Sequence, residues 1–99
     1  MAGYRLTRAA EADFERLVEY GLDRFGLQQT RDYRDSLKER FRAIAEHPNQ
    51  YPAVDAIRSG YRRSVHGSHA IYYRIEDGAV TIVRILGREN PKTGLPKAN

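Results

Sequence analysis

His69, Arg62 and Arg84 are the residue types that breaking an RNA phosphodiester requires. A neutral imidazole accepts the proton of the attacking hydroxyl, and two guanidinium groups hold a phosphate as its charge grows. Ser68, His69 and Asp77 also hold the residue types of a nucleophile relay. They lack the strand-turn-helix setting that exposes a nucleophilic serine, so hydrolysis by that route is not expected. His66 and His69 lie across a strand turn, which predicts that their rings point in unrelated directions. No acidic or thiolate ligand is interleaved with them, so no metal site is expected. Gly60, Gly67 and Gly78 are isolated turn residues with no following Lys-Ser/Thr, and nothing suggests a phosphate loop or another cofactor site.

A broader signal is the alternation of arginine and tyrosine with aliphatic residues. It runs through Gly60-Tyr61-Arg62-Arg63-Ser64, Ala70-Ile71-Tyr72-Tyr73-Arg74-Ile75 and Ile82-Val83-Arg84-Ile85-Leu86. Such strands form a surface that stacks planar groups and forks onto anions, which points to a binding face more than to a reaction centre. Charge agrees with this. Residues 1–56 carry 9 basic and 10 acidic side chains, whereas residues 57–99 carry 8 basic and 3 acidic, so the net charge of +4 belongs to the second half. Fourteen of the 17 cations are arginine, the side chain suited to bidentate contact with carboxylate or phosphate.

The elements that must position these residues follow from hydrophobic period. Tyr4-Arg5-Leu6 is a short edge strand and Thr7 a helix N-cap. Ala10, Phe14, Leu17, Val18, Gly21, Leu22 and Phe25 recur at steps of three and four, with Glu11, Asp13, Glu15, Arg16 and Glu19 on the other face. Gly26 ends this helix, and a second runs from about Gln28 to His47 on the stripe Tyr33, Leu37, Phe41, Ile44 and Ala45 before Pro48 stops it. The pair is predicted to form an antiparallel hairpin. Tyr61–Val65, His69–Ile75 and Val80–Leu86 then read as three strands of a meander, the last two joined at Asp77-Gly78.

That turn predicts Ile75 opposite Val80, Tyr73 opposite Ile82, Ile71 opposite Arg84 and His69 opposite Leu86 on one face. The other face pairs Arg74 with Thr81, Tyr72 with Val83, and Ala70 with Ile85. The fold class is α+β: a short N-terminal strand and a two-helix hairpin packed on a three- to four-stranded, mainly antiparallel sheet. Residues 1–88 form one domain, and 89–99, with two prolines and one large apolar residue, an irregular tail. There is no cysteine, no apolar stretch long enough to span a bilayer and no apolar signal core near the N-terminus, so a cytoplasmic protein without membrane contact is expected.

In order and spacing these segments resemble the ParE branch of the RelE/ParE toxin superfamily. The resemblance is carried by Tyr4-Arg5-Leu6-Thr7 leading into Ala10-Glu11-Ala12-Asp13-Phe14, by Ala45-Glu46-His47-Pro48, and by Ile57-Arg58-Ser59-Gly60-Tyr61-Arg62-Arg63. Gly67-Ser68-His69-Ala70-Ile71-Tyr72-Tyr73-Arg74-Ile75 and Ile82-Val83-Arg84-Ile85-Leu86 complete it, over residues 4 to about 88. It implies a toxin of a type II toxin-antitoxin system that inhibits DNA gyrase by binding, is not an enzyme and has no catalytic residue. It also implies a ParD-type antitoxin, forming a hetero-oligomer with the toxin, and no direct specific contact with nucleic acid. Leu17, Val18, Phe41, Arg62, Arg63, Tyr73 and Arg84 are the expected contacts with antitoxin or target.

The related RelE proteins are ribosome-dependent mRNA interferases with basic residues on the meander strands, and the slot where they carry a third-strand Arg is Ala70 here. Many ParE proteins follow the last strand's Arg-Val-Leu with His, whereas Gly87-Arg88-Glu89 here is similar to RelE. The alternatives are therefore a nuclease using His69, Arg84 and Arg88, or a non-toxic interaction module of the same fold.

Overall fold

The computed structural model describes residues 3–96. The chain begins with β1 (Tyr4–Leu6), a three-residue edge strand parallel to the last strand of the sheet. Thr7 caps the helix α1 (Arg8–Glu46), and its hydroxyl has two partners. It accepts from the Ala10 amide at 3.1 Å and donates to the Val83 carbonyl at 2.8 Å, so one side chain both starts the helix and fastens it to the sheet.

The expected pair of separate helices is replaced by one helical element without a connecting loop. Helical geometry lapses inside it only at Gly26, with φ 85° and ψ 177°. A straight helix of 39 residues would run about 58 Å, yet the longest dimension of the molecule is 38 Å. The element therefore folds back at Gly26. Phe14 and Phe41 meet with ring centroids 6.1 Å apart, and a Cβ added at Gly21 would lie 2.8 Å from Thr30 Oγ1. One residue makes this reversal because glycine alone takes positive φ without a steric penalty.

Three antiparallel strands follow: β2 (Arg62–His66), β3 (His69–Glu76) and β4 (Ala79–Leu86), in the sheet order β1-β4-β3-β2. Asp77 (φ 52°) and Gly78 (φ 77°) both take positive φ in the two-residue turn between β3 and β4, as the Asp-Gly signal predicts. The predicted register holds near that turn, with Ile75↔Val80, Arg74↔Thr81 and Tyr73↔Ile82. Beyond it the register shifts. Tyr72 pairs with Arg84, Ile71 with Ile85 and Ala70 with Leu86, leaving Val83 as an extra residue on β4. This bulge overturns the expected Ile71–Arg84, His69–Leu86, Tyr72–Val83 and Ala70–Ile85 pairs, because one inserted residue reverses which face each later side chain meets.

Two cores result. Ile71, Tyr73, Val80, Ile82 and Ile85 pack against Ala10, Leu37, Phe41 and Ile44 of α1. On the opposite face Tyr61, Tyr72, Val83 and Leu86 pack with Val54 and Leu95. Each fully buried Leu, Ile or Phe stabilises the fold by about 1.5–3 kcal/mol relative to exposure. The second core is closed from the C-terminal side. Where the sequence predicts an irregular tail, Pro91–Gly94 form a short helix, α2, capped by Asn90. Leu95 is 2% exposed. Residues 97–99 of that expected tail lie outside the described residues.

Candidate functional site

Arg84 stands just past the β4 bulge and does not project from an open sheet face. Its Nε donates to Asp13 Oδ2 at 2.7 Å and its Nη2 to Asp13 Oδ1 at 2.9 Å, a bidentate fork. Asp13 is 4% exposed, and it also accepts from the Ile85 amide at 2.9 Å and from Arg16. The carboxylate thus has four donors and needs no water. Hydrogen bonding to Asp13 raises the Arg84 pKa against the opposing effect of burial. Arg84 Nη1 reaches on to the Gly94 carbonyl at 2.8 Å, so a single guanidinium ties α1, β4 and the strap that α2 begins.

His69 and His66 are direct cross-strand partners at the β2–β3 turn, contrary to the expectation of unrelated directions. Both rings lie 5.6 Å from the Tyr33 ring of α1. Tyr33 Oη is 2.7 Å from His69 Nδ1 and donates to the His66 carbonyl at 3.0 Å, while Ser36 Oγ lies 2.9 Å from His66 Nε2. Ser68 Oγ is farther from His69, at 3.4 Å. Burial lowers the pKa of His69 against the pull of Glu89 and Asp13, and burial, then Arg40 and His66's neighbour His69, lower that of His66. Burial thus favours the neutral form of both imidazoles. Among the described residues no group of three His, Asp or Glu side chains is arranged to hold a metal ion.

Each residue of the expected nuclease set has a defined environment. The Arg84 fork is filled by Asp13, His69 is engaged with Tyr33, and Arg88 is exposed in the bend after β4.

An apolar groove of about 410 Å³ opens between β1 and the two limbs of α1, lined by Tyr4, Leu6, Phe14 and Phe41 with Glu11, Glu15 and Lys38 at its lips. Leu17 packs half-buried on the same core, and Val18 is half-buried nearby on the first limb. Phe41 is 2% exposed and forms the floor of the groove. Tyr73 is wholly buried, its hydroxyl donating to the Pro48 carbonyl at 2.6 Å, so it supports the sheet from within. Arg62 donates to the Tyr51 carbonyl at 2.6 Å, and Arg63 is half-buried opposite Tyr72. The outer edge of β2 is covered where the Arg63 amide meets the Pro52 carbonyl and Arg40 meets the Val65 carbonyl. A partner strand cannot add there without displacing them.

The family model for the ParE toxin of type II toxin-antitoxin systems, parDE, matches residues 4–91. The chain belongs to the ParE toxin family. Toxin ParE1 of Caulobacter vibrioides is 40% identical over 86 residues, covering 87% of this chain and 88% of that protein. Toxin ParE1 of Mycobacterium tuberculosis is 36% identical over 84 residues, covering 84% and 86%. Among solved structures, a chain of the chromosomal ParDE system from P. aeruginosa superposes with a TM-score of 0.76 at 19% identity, covering 90% of this ParE-family chain and 98% of its own. A chain of the RelBE2 toxin-antitoxin complex from Mycobacterium tuberculosis gives 0.59 at 22% identity, covering 88% and 98%. At those identities the likeness is one of fold.

Sequence reasoning placed Asp13 on the polar face of its helix and missed it as the partner of Arg84. A signal was present, since Asp13 sits three residues after Ala10 and four before Leu17, inside the apolar stripe. Tyr33 was placed in the core stripe without its hydroxyl contact to His69, and no local pattern reveals that pairing.

Proposed function

We propose that this ParE-family toxin inhibits DNA gyrase by binding it, without catalysis, and that a ParD-type antitoxin neutralises it in a cytoplasmic hetero-oligomer. The observation that carries the choice over the nuclease reading is the Arg84 fork on Asp13: a guanidinium already hydrogen-bonded through Nε, Nη1 and Nη2 is poorly available to clamp a phosphate. The ParDE neighbour in fold supports a ParD-type partner.

The antitoxin segment lies in the groove lined by Phe14 and Phe41, with Glu11, Glu15 and Lys38 at its lips, and extends over the half-buried Leu17 and Val18 of the first limb of α1. A partner that fills such a groove gains mainly from apolar burial, with charged contacts at the rim setting orientation. Arg62 and Arg63, on the sheet, serve target contact.

The test is expression of the chain with and without a co-expressed ParD-type antitoxin, with messages mapped by primer extension. Growth arrest relieved by the antitoxin, with messages intact, is the expected result. Cleavage at the ribosomal A site would establish the interferase instead, and unimpaired growth without antitoxin the non-toxic module.

A further inference from the structure

Exposed apolar side chains concentrate at the end of α1 where it folds back. Among the described residues, four of the six large apolar side chains left exposed fall between positions 20 and 27: Tyr20, Leu22, Phe25 and Leu27. Every residue from 22 to 29 is exposed, so no other element of the chain covers this end. Single apolar residues on a surface are ordinary, but a group of this size marks a contact site. Tyr20 and Phe25 lie edge to face with ring centroids 6.5 Å apart, and the Arg24 guanidinium sits 4.8 Å from the centre of the Tyr20 ring. The aromatic pair is thus held in place before anything binds, which lowers the ordering cost of a contact.

Charge around this end points to the occupant. Residues 19–34 carry three acids, Glu19, Asp23 and Asp32, and three cations, Arg24, Arg31 and Arg34, for a net of zero. Arg24 is turned onto Tyr20, Asp32 accepts from Gln28, and Arg34 pairs with Asp35. Glu19 and Asp23 on the first limb and Arg31 on the second have no ion-pair partner among the described residues. A nucleic acid or a segment of one charge sign would set like charges against one limb or the other. A second copy related by a twofold axis matches both, because such a contact repeats every pair.

An aromatic side chain presents roughly 150–250 Å² and a leucine somewhat less, so at exposures of 44–61% the four offer about 400 Å² from each copy. With the polar residues around them, a pair reaches the low end of specific interfaces, about 1,200 Å² in total, which suits a reversible dimer.

We propose that the folded-back end of α1 is a self-association surface, on which two copies of this chain bury Tyr20, Leu22, Phe25 and Leu27 against each other. The first limb of each copy lies along the second limb of the other, with Glu19 and Asp23 beside Arg31. Phe25 is eleven residues beyond Phe14, about 16 Å along the limb, so this end is clear of the groove floored by Phe41. A second copy and a groove partner can therefore bind together, and the proposal holds whether or not gyrase is the target.

The full chain is followed by sedimentation equilibrium from low micromolar to near-millimolar concentration. Its mass should rise from 11.4 kDa toward twice that value and stop there. Phe25→Ser and Leu27→Ser should each weaken the dimer roughly tenfold or more, as loss of a central apolar contact implies, without lowering the midpoint of thermal unfolding in dilute solution. Asp23→Arg and Arg31→Asp should each weaken self-association alone, and an equimolar mixture of the two should restore it, because in the mixed pair every acid again meets a guanidinium. A single-chain mass throughout, a mass that climbs beyond two chains, a dimer undiminished in Phe25→Ser and Leu27→Ser, or no recovery in the mixture would each overturn the proposal. So would a monomeric chain whose inhibition of gyrase is lost in Leu27→Ser, which would assign this end to the target instead.

Discussion

Arg84 and Asp13, 71 residues apart in the chain, meet in a two-pronged ion pair of 2.7 and 2.9 Å whose carboxylate side is buried. The Coulomb attraction between them matters less than what happens when one partner is removed, because a buried charge or donor left alone loses its compensation for desolvation. Asp13→Ala strands the Arg84 guanidinium and the Ile85 amide together. It should lower unfolding free energy by about 3–5 kcal/mol in urea titration. Arg84→Ala should cost less, since Arg16 and the Ile85 amide still serve Asp13. Equal losses from the two variants would contradict this ordering.

Leu95 fills the second core beside Tyr61, Tyr72 and Leu86, and the backbone around it is held by Arg58, Arg84 and the Tyr61 hydroxyl, which donates to the Pro96 carbonyl at 3.0 Å. Leu95→Ala should destabilise by about 2–4 kcal/mol through lost burial and the cavity left behind. A denaturation midpoint unchanged from wild type would mean that the strap contributes nothing to the fold.

Glycine substitutions separate two kinds of backbone demand. At Gly26 an added Cβ has open space, so Gly26→Ala should cost only the backbone strain of φ 85° with ψ 177°, a region almost confined to glycine, about 1–3 kcal/mol. Gly67 also has positive φ, and its added Cβ would lie 2.8 Å from Tyr33 Cε1. Gly67→Ala should therefore be the more damaging of the two in thermal unfolding, and should disturb the Tyr33–His69 contact as well.

Acid should loosen the contact between α1 and the β2–β3 turn. Burial lowers the pKa of both His66 and His69 from 6.5, so the unfolded chain binds more protons in the window just below that value. Their contribution to stability is complete above the ordinary histidine pKa and is lost as pH falls through the lowered values. At the alkaline end burial pushes the Tyr73 hydroxyl up to about 12. Its contribution is complete below pH 10 and fades as pH rises toward that value. Urea titrations across this range should show His66→Gln and His69→Gln flattening the acid limb, and Tyr73→Phe the alkaline one. Unaltered slopes would contradict the assignment.

Locally specified features were readable in the amino-acid order: the Thr7 cap, the glycine reversal at Gly26 and the Asp77-Gly78 turn each depend on a few adjacent residues. The β4 bulge was not, because a period of two assumes an unbroken ladder and nothing near Val83 marks an insertion. That one residue moved Arg84 from an imagined open face into the Asp13 pair. The strap was missed for a related reason. Its composition is that of a loose tail, and the slot for Leu95 is built by Val54, Tyr61, Tyr72, Val83 and Leu86, all distant in sequence. The groove at Phe41 was partly legible, since the stripes carrying Phe14 and Phe41 were apparent, while the contribution of Tyr4 and Leu6 awaited the placement of β1.

We propose that this chain acts by gripping gyrase and not by cutting RNA. Purified chain added to DNA gyrase and relaxed plasmid tests it most directly. Inhibited supercoiling, with double-strand cleavage trapped in the plasmid and both effects abolished by a ParD-type antitoxin, is the predicted result. Undiminished supercoiling with no trapped cleavage at excess toxin would contradict it.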